Sequence, residues 1–95
     1  MGVRLTFELE GEMTQYASDI DLVVRVMLRK LQKNTHKGRW ENMSVEQAFD
    51  LLAEEVLELK DAIEDDSPSD AVMDECADVS NFAMIIATIV NRSRP

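Results

Sequence analysis

Apolar residues along most of this chain recur at the three- and four-residue spacing of helices. Ile20, Val23, Val24, Met27 and Leu31 form one stripe, which predicts a helix from about Ser18 to about Asn34. Arg25, Arg29, Lys30 and Lys33 lie off it. A second stripe, Val45, Ala48, Phe49, Leu52, Val56, Leu59 and Ile63, predicts a helix ending near Glu64. Ser44 and Gln47 give that helix a capping-box start. Asp65-Asp-Ser-Pro-Ser-Asp70 reads as a turn, with Ser67 placed to cap and Pro68 to begin a third helix that ends near Asn91. Its stripe is Val72, Cys76, Val79, Ala83, Ile86 and Val90.

The short turn makes the second and third helices an antiparallel hairpin. The stretch 34–42, around Gly38, reads as a loop. Residues 1–17 form an N-terminal arm in which Val3, Leu5, Phe7 and Leu9 alternate with Arg4, Thr6 and Glu8, the pattern of a short strand. Residues 18–95 form the helical domain. The expected fold is all-α.

Composition narrows the class. The chain has 95 residues, which implies one domain and a small core that oligomerisation would help to complete. Its net charge of −9 opposes binding to DNA or RNA. Cys76 is the only cysteine, so a disulfide framework and a cysteine-based zinc site are excluded. The N-terminus does not read as a signal peptide, and Val79–Asn91 is too short to span a bilayer. A cytoplasmic protein is expected.

Two pairs of acids break the helical pattern. Glu55 and Glu58 fall on a flank of the second helix among Leu51 and Ala62. Glu75 and Asp78 fall on a flank of the third among Ala71, Phe82, Ile85 and Ile89. Both pairs have i, i+3 spacing, which makes their members surface neighbours. Like charges in apolar surroundings are costly, and a divalent cation removes the conflict. Either run alone is more often a solvated face; the match in spacing and setting favours a metal site. Oxygen-only ligands suit Mg²⁺, Mn²⁺ or Ca²⁺. An EF-hand is excluded, because the acidic turn lacks the loop glycine and the closing glutamate.

Glu54-Glu55-Val-Leu-Glu58 followed by Glu75-Cys-Ala-Asp78 resembles the E-E-x-x-E … E-x-x-D pattern of the MazG-like all-α nucleoside triphosphate pyrophosphohydrolases. Lys37-Gly-Arg-Trp40 is similar to the K-G-x-W segment of single-domain members. The likeness covers about residues 30–90. It implies a four-helix-bundle-like fold completed by oligomerisation, as a homodimer or homotetramer. It implies Mg²⁺, with Mn²⁺ as a substitute, held by Glu55, Glu58, Glu75 and Asp78. Glu54 becomes an accessory acid that either binds a further metal or orients the attacking water; Glu54 and Glu58 are the catalytic candidates, and a carboxylate beside the metal can take the water's proton.

The implied activity is cleavage of a (deoxy)nucleoside triphosphate to the monophosphate and pyrophosphate. Small phage-type members would act in the host cytoplasm, and purine deoxynucleotides such as dGTP and dATP are the expected substrates. A pyrimidine-specific dUTP or dCTP hydrolase and a non-enzymatic helical interaction protein are the alternatives.

Phosphate binding needs cations, and Lys33, Lys37 and Arg39 are the first candidates, with Lys30, Arg92 and Arg94 behind them. Trp40 either stacks on a base or pins the loop to the second helix. Phe82 either walls the pocket or fills the core. Asn81 either recognises base or sugar or makes a structural hydrogen bond. His36 reads as a surface residue and Cys76 as a small core residue.

Overall fold

The computed structural model describes residues 13–34, 40 and 42–93. Three helices account for most of them: α1 (Met13–Lys33), α2 (Val45–Glu64) and α3 (Ser69–Ser93). The all-α expectation holds among the described residues. The alternating segment Val3–Leu9 lies outside them.

The α1 helix begins five residues before the expected Ser18. Nothing between Met13 and Ala17 opposes a helix, and Met13 and Tyr16 carry the stripe of Ile20 and Val23 back by two turns. Ser44 caps α2 as its sequence predicts. Its hydroxyl accepts from Gln47 N at 3.1 Å, and Gln47 Oε1 accepts from Ser44 N at 2.9 Å. Two of the first-turn N–H donors that every helix leaves open are thereby satisfied.

The end of α2 is a Schellman turn. Ser67 N donates to Ala62 O at 3.0 Å, and Asp66 N donates to Ile63 O at 3.2 Å. The motif requires a left-handed residue, and here it is Asp66 at φ 53°, where glycine is usual. The α3 helix then starts one residue later than expected. Pro68, not Ser67, occupies the cap position, and its carbonyl accepts from Ala71 N and Val72 N. Proline suits that place because it has no N–H to leave open.

The α3 helix is the centre of the fold. Both α2 and α1 pack against it, and the α1 and α2 backbones do not pack directly on each other. The Cα radius of gyration is 15.0 Å, against ~12 Å for a compact chain of this length. Val26, Ala48, Ala77 and Ile85 are buried, together with Asn81.

That core differs from the predicted stripes, and the reason is rotation. On α2, Ala48 is buried and Leu52 and Leu59 are half-buried, but Phe49, Val56 and Ile63 face out. The helix has turned its acid-bearing flank partly inward. On α3 the buried line is Ala77, Asn81 and Ile85; the expected stripe is half-buried, with Ala83 exposed. A wide apolar arc tells which residues avoid water but not which of them meets a given neighbour. Asn81 tolerates burial because its Nδ2 donates to Met27 O on α1 at 3.1 Å. No helix among the described residues is long and apolar enough to cross a membrane.

Candidate metal centre

The hairpin brings one acid of α2 and two of α3 together. Each of Glu55, Glu75 and Asp78 offers a carboxylate oxygen, and these oxygens all lie within 4.8 Å of one another. All three side chains are half-buried. Glu58, one turn along α2, is exposed and lies at the rim. It is close enough to hydrogen-bond to the carboxyls of both Glu55 and Glu75. The α2 phase explains the division: Glu55 lies closer than Glu58 to the buried Ala48 line on the wheel.

The electrostatics record the crowding. The Glu55 carboxyl is pushed from 4.5 up to about 7. Burial is the largest cause, followed by the hydrogen bond to Glu58 and the negative charges of Asp78, Glu58 and Glu75. The Glu75 carboxyl is also raised, by burial first and then by Glu58 and Asp78. Lys30 opposes that rise. Its Nζ lies 3.3 Å from Asp78 Oδ2, and both side chains are largely covered. One turn away Arg29 pairs with Asp74. The site thus forms where α1, α2 and α3 converge, with α1 supplying positive charge to an acidic junction.

Two carboxylate oxygens are conspicuous. Glu55 Oε2 and Glu75 Oε2 are buried and have no hydrogen-bond partner among the described residues. A buried polar atom without a partner is costly. These oxygens fit a hard divalent cation, which takes oxygen ligands and discharges the repulsion. The donor set contains no sulfur or imidazole, so it suits Mg²⁺, Mn²⁺ or Ca²⁺ better than zinc.

The other residues singled out from the sequence are scattered. Glu54 is exposed. Lys33 is exposed near the end of α1, and Arg92 near the end of α3. Lys37, Arg39, His36 and Arg94 lie outside the described residues. Trp40 is half-buried, and its Nε1 is buried with no partner among the described residues. Phe82 is half-buried one turn beyond Asp78. Asn81 is only 6% exposed; its Nδ2 is used by Met27, and its Oδ1 has no partner among the described residues. Cys76 is a half-buried free thiol.

Lys30, a second-rank candidate from the sequence, is the lysine that reaches the cluster among the described residues. The available signal was its position one turn beyond Val26 and beside Leu31, close to the apolar face of α1. Comparison with family models, curated proteins and solved structures found no match.

Proposed function

We propose that this chain is a Mg²⁺-dependent nucleoside triphosphate pyrophosphohydrolase of the MazG-like kind, releasing a monophosphate and pyrophosphate. The observation that carries the reading is the joining of Glu55, Glu75 and Asp78 across the hairpin, with two buried carboxylate oxygens unpartnered among the described residues. The E-E-x-x-E … E-x-x-D pattern supplies the reaction class.

In this reading Glu55, Glu75 and Asp78 hold the cation, and Glu58 completes the set from the rim. The chemistry that Mg²⁺ supplies when bound is neutralisation of phosphate oxygens during in-line displacement. Glu58, exposed at the rim beside Glu55 and Glu75, accepts the proton of the attacking water. Glu54 lies further round the helix as an accessory acid. Burial and the neighbouring acids raise the Glu55 carboxyl to about 7, so it is part-protonated near neutrality. Lys30 offsets one charge of the cluster through Asp78 and offers an ammonium to a phosphate. Lys33, Lys37 and Arg39 are the further phosphate candidates that the sequence offers. Trp40 and Phe82 give aromatic faces for a base, whereas Asn81, buried and donating to Met27 O, serves the α1–α3 packing.

The active form in this reading is a homodimer or homotetramer in the cytoplasm, and in the host cytoplasm if the chain is phage-encoded. The substrate is a purine deoxynucleotide such as dGTP or dATP. Pyrophosphate release from a panel of nucleoside triphosphates tests the proposal. Release that requires Mg²⁺ and is lost in Glu58→Ala and Asp78→Ala supports it. A preference for dUTP or dCTP would replace the purine assignment, and no release from any nucleotide would favour a helical interaction protein.

A further inference from the structure

Lys30 meets the acid cluster as a cation supplied by the fold itself. Its Nζ lies 3.3 Å from Asp78 Oδ2, and the two side chains are 21% and 18% exposed. The pairs Arg25–Asp21, Arg29–Asp74 and Lys60–Glu64 are all more exposed. A covered pair is screened less by water and salt, so its charge counts for more. That charge reaches Glu75 as well, where it opposes the rise of the carboxyl. Lys30 therefore acts on two of the three acids whose oxygens converge.

The fold imposes this approach. One turn before Lys30, Met27 O accepts from Asn81 Nδ2 at 3.1 Å. Next to Lys30, Arg29 pairs with Asp74. Asp74 and Asn81 lie on α3, on either side of Glu75 and Asp78 in sequence. This turn of α1 is thus fastened to α3 at two points outside the cluster, and the backbone carries the ammonium to Asp78. Lys30 covers only one corner of the cluster. Glu55 Oε2 and Glu75 Oε2 are left with no hydrogen-bond partner among the described residues. A divalent cation binding Glu55, Glu75 and Asp78 then meets a positive charge already on Asp78. The two cations repel, so the charge that steadies the acids also lowers their affinity for the ion.

We propose that Lys30 is a built-in counter-cation of this cluster, which steadies Asp78 when no metal is bound and weakens divalent-cation binding in return. Such coupling is reciprocal: what Lys30 subtracts from cation affinity, the bound cation subtracts from the Lys30–Asp78 pair. This role rests on the cation-site reading of the proposed function, and adds to it the residue that sets the affinity.

Isothermal titration of Mn²⁺ into the full chain at pH 8 tests the role, with thermal melts of the same proteins in chelator. Lys30→Met removes the charge and keeps most of the stem. It is expected to bind Mn²⁺ about tenfold more tightly than wild type, and to melt lower in chelator. Lys30→Gln, whose amide still donates to Asp78, carries the same expectations and serves if Lys30→Met does not fold. Lys30→Arg keeps the charge and is expected to stay within about threefold of wild-type affinity. Arg29→Met removes a neighbouring charge that faces Asp74, and is expected to change affinity less than about threefold.

The opposite signs identify the role. A pair that only braced α1 against α3 would lower stability without raising affinity. Unchanged or weaker Mn²⁺ binding in the neutral variants, with normal binding by wild type, overturns the role and leaves the cation site standing. So does an equal gain in Lys30→Arg or Arg29→Met, or neutral variants that melt at or above wild type in chelator. Absence of saturable binding in wild type and neutral variants alike overturns both the role and the site.

Discussion

Replacing Glu55 with Gln should make the metal-free protein more stable and the metal-loaded protein less so. The native state holds the Glu55 proton up to about pH 7, whereas an unfolded chain releases it near 4.5. Stability is therefore full below pH 4.5, falls as pH rises from 4.5 to about 7, and is level above. At 1.36 kcal/mol per pKa unit, the penalty at pH 8 is up to ~3 kcal/mol. Glutamine keeps the shape and removes the charge, but its half-buried amide has its own desolvation cost of about 1–2 kcal/mol. The net gain at pH 8 is about 1–2 kcal/mol. For a domain of this size it corresponds to a Tm rise of roughly 5–15 °C.

Magnesium reverses the order. A cation present at a hundred times its dissociation constant adds about 2.7 kcal/mol to the wild type. The variant has lost one ligand and should gain much less. Thermal melts followed by circular dichroism at pH 8, with chelator and then with Mg²⁺, measure both effects. At pH 4.5 the charge penalty is gone, and the variant should be about 1–2 kcal/mol less stable than wild type. A Glu55→Gln protein that melts below wild type in chelator at pH 8, or gains as much from Mg²⁺, would refute the reasoning.

The remaining predictions concern the scaffold that holds the acids. Ser44→Ala removes the α2 cap and should cost about 1 kcal/mol, read as a lower urea midpoint with an unchanged slope. Asp66→Gly relieves the left-handed position at the Schellman turn and should raise that midpoint, by about 0.5–1 kcal/mol. Asn81→Ala removes the hydrogen bond that joins α3 to the Met27 carbonyl and should cost roughly 1–3 kcal/mol in the same measurement.

The sequence made the local devices legible and left the tertiary ones dark. The Ser44–Gln47 capping box and the Asp65–Pro68 turn are written in neighbouring residues, so they could be read directly. The acid pairs were legible because their i, i+3 spacing placed them on apolar flanks. Their joining needed the hairpin, which a short turn between amphipathic helices imposes. The start of α1 was missed because Met13 and Tyr16 continue a stripe whose beginning no capping residue marks.

The rotation of α2 and α3 was not legible for a deeper reason. Each has an apolar arc wider than one neighbour covers, and the choice between Phe49–Val56–Ile63 and the Ala48 side depends on the other helices. Lys30–Asp78 and Asn81–Met27 join residues roughly fifty positions apart, beyond any helical period. Asn81 was further hidden by being polar, since a hydrophobic pattern does not register a buried amide.

The central claim is that the acids of the hairpin form one divalent-cation site. Isothermal titration of Mn²⁺ into the full chain at pH 7.5, for the wild type and for Glu75→Gln and Asp78→Asn, tests it most directly. Saturable binding is predicted for the wild type, with proton release that grows as the pH is lowered through 7, because the raised Glu55 carboxyl is then more fully protonated. Each substitution should weaken binding about tenfold or more. Absence of saturable heat in the wild type, or equal affinity in all three proteins, would contradict the account.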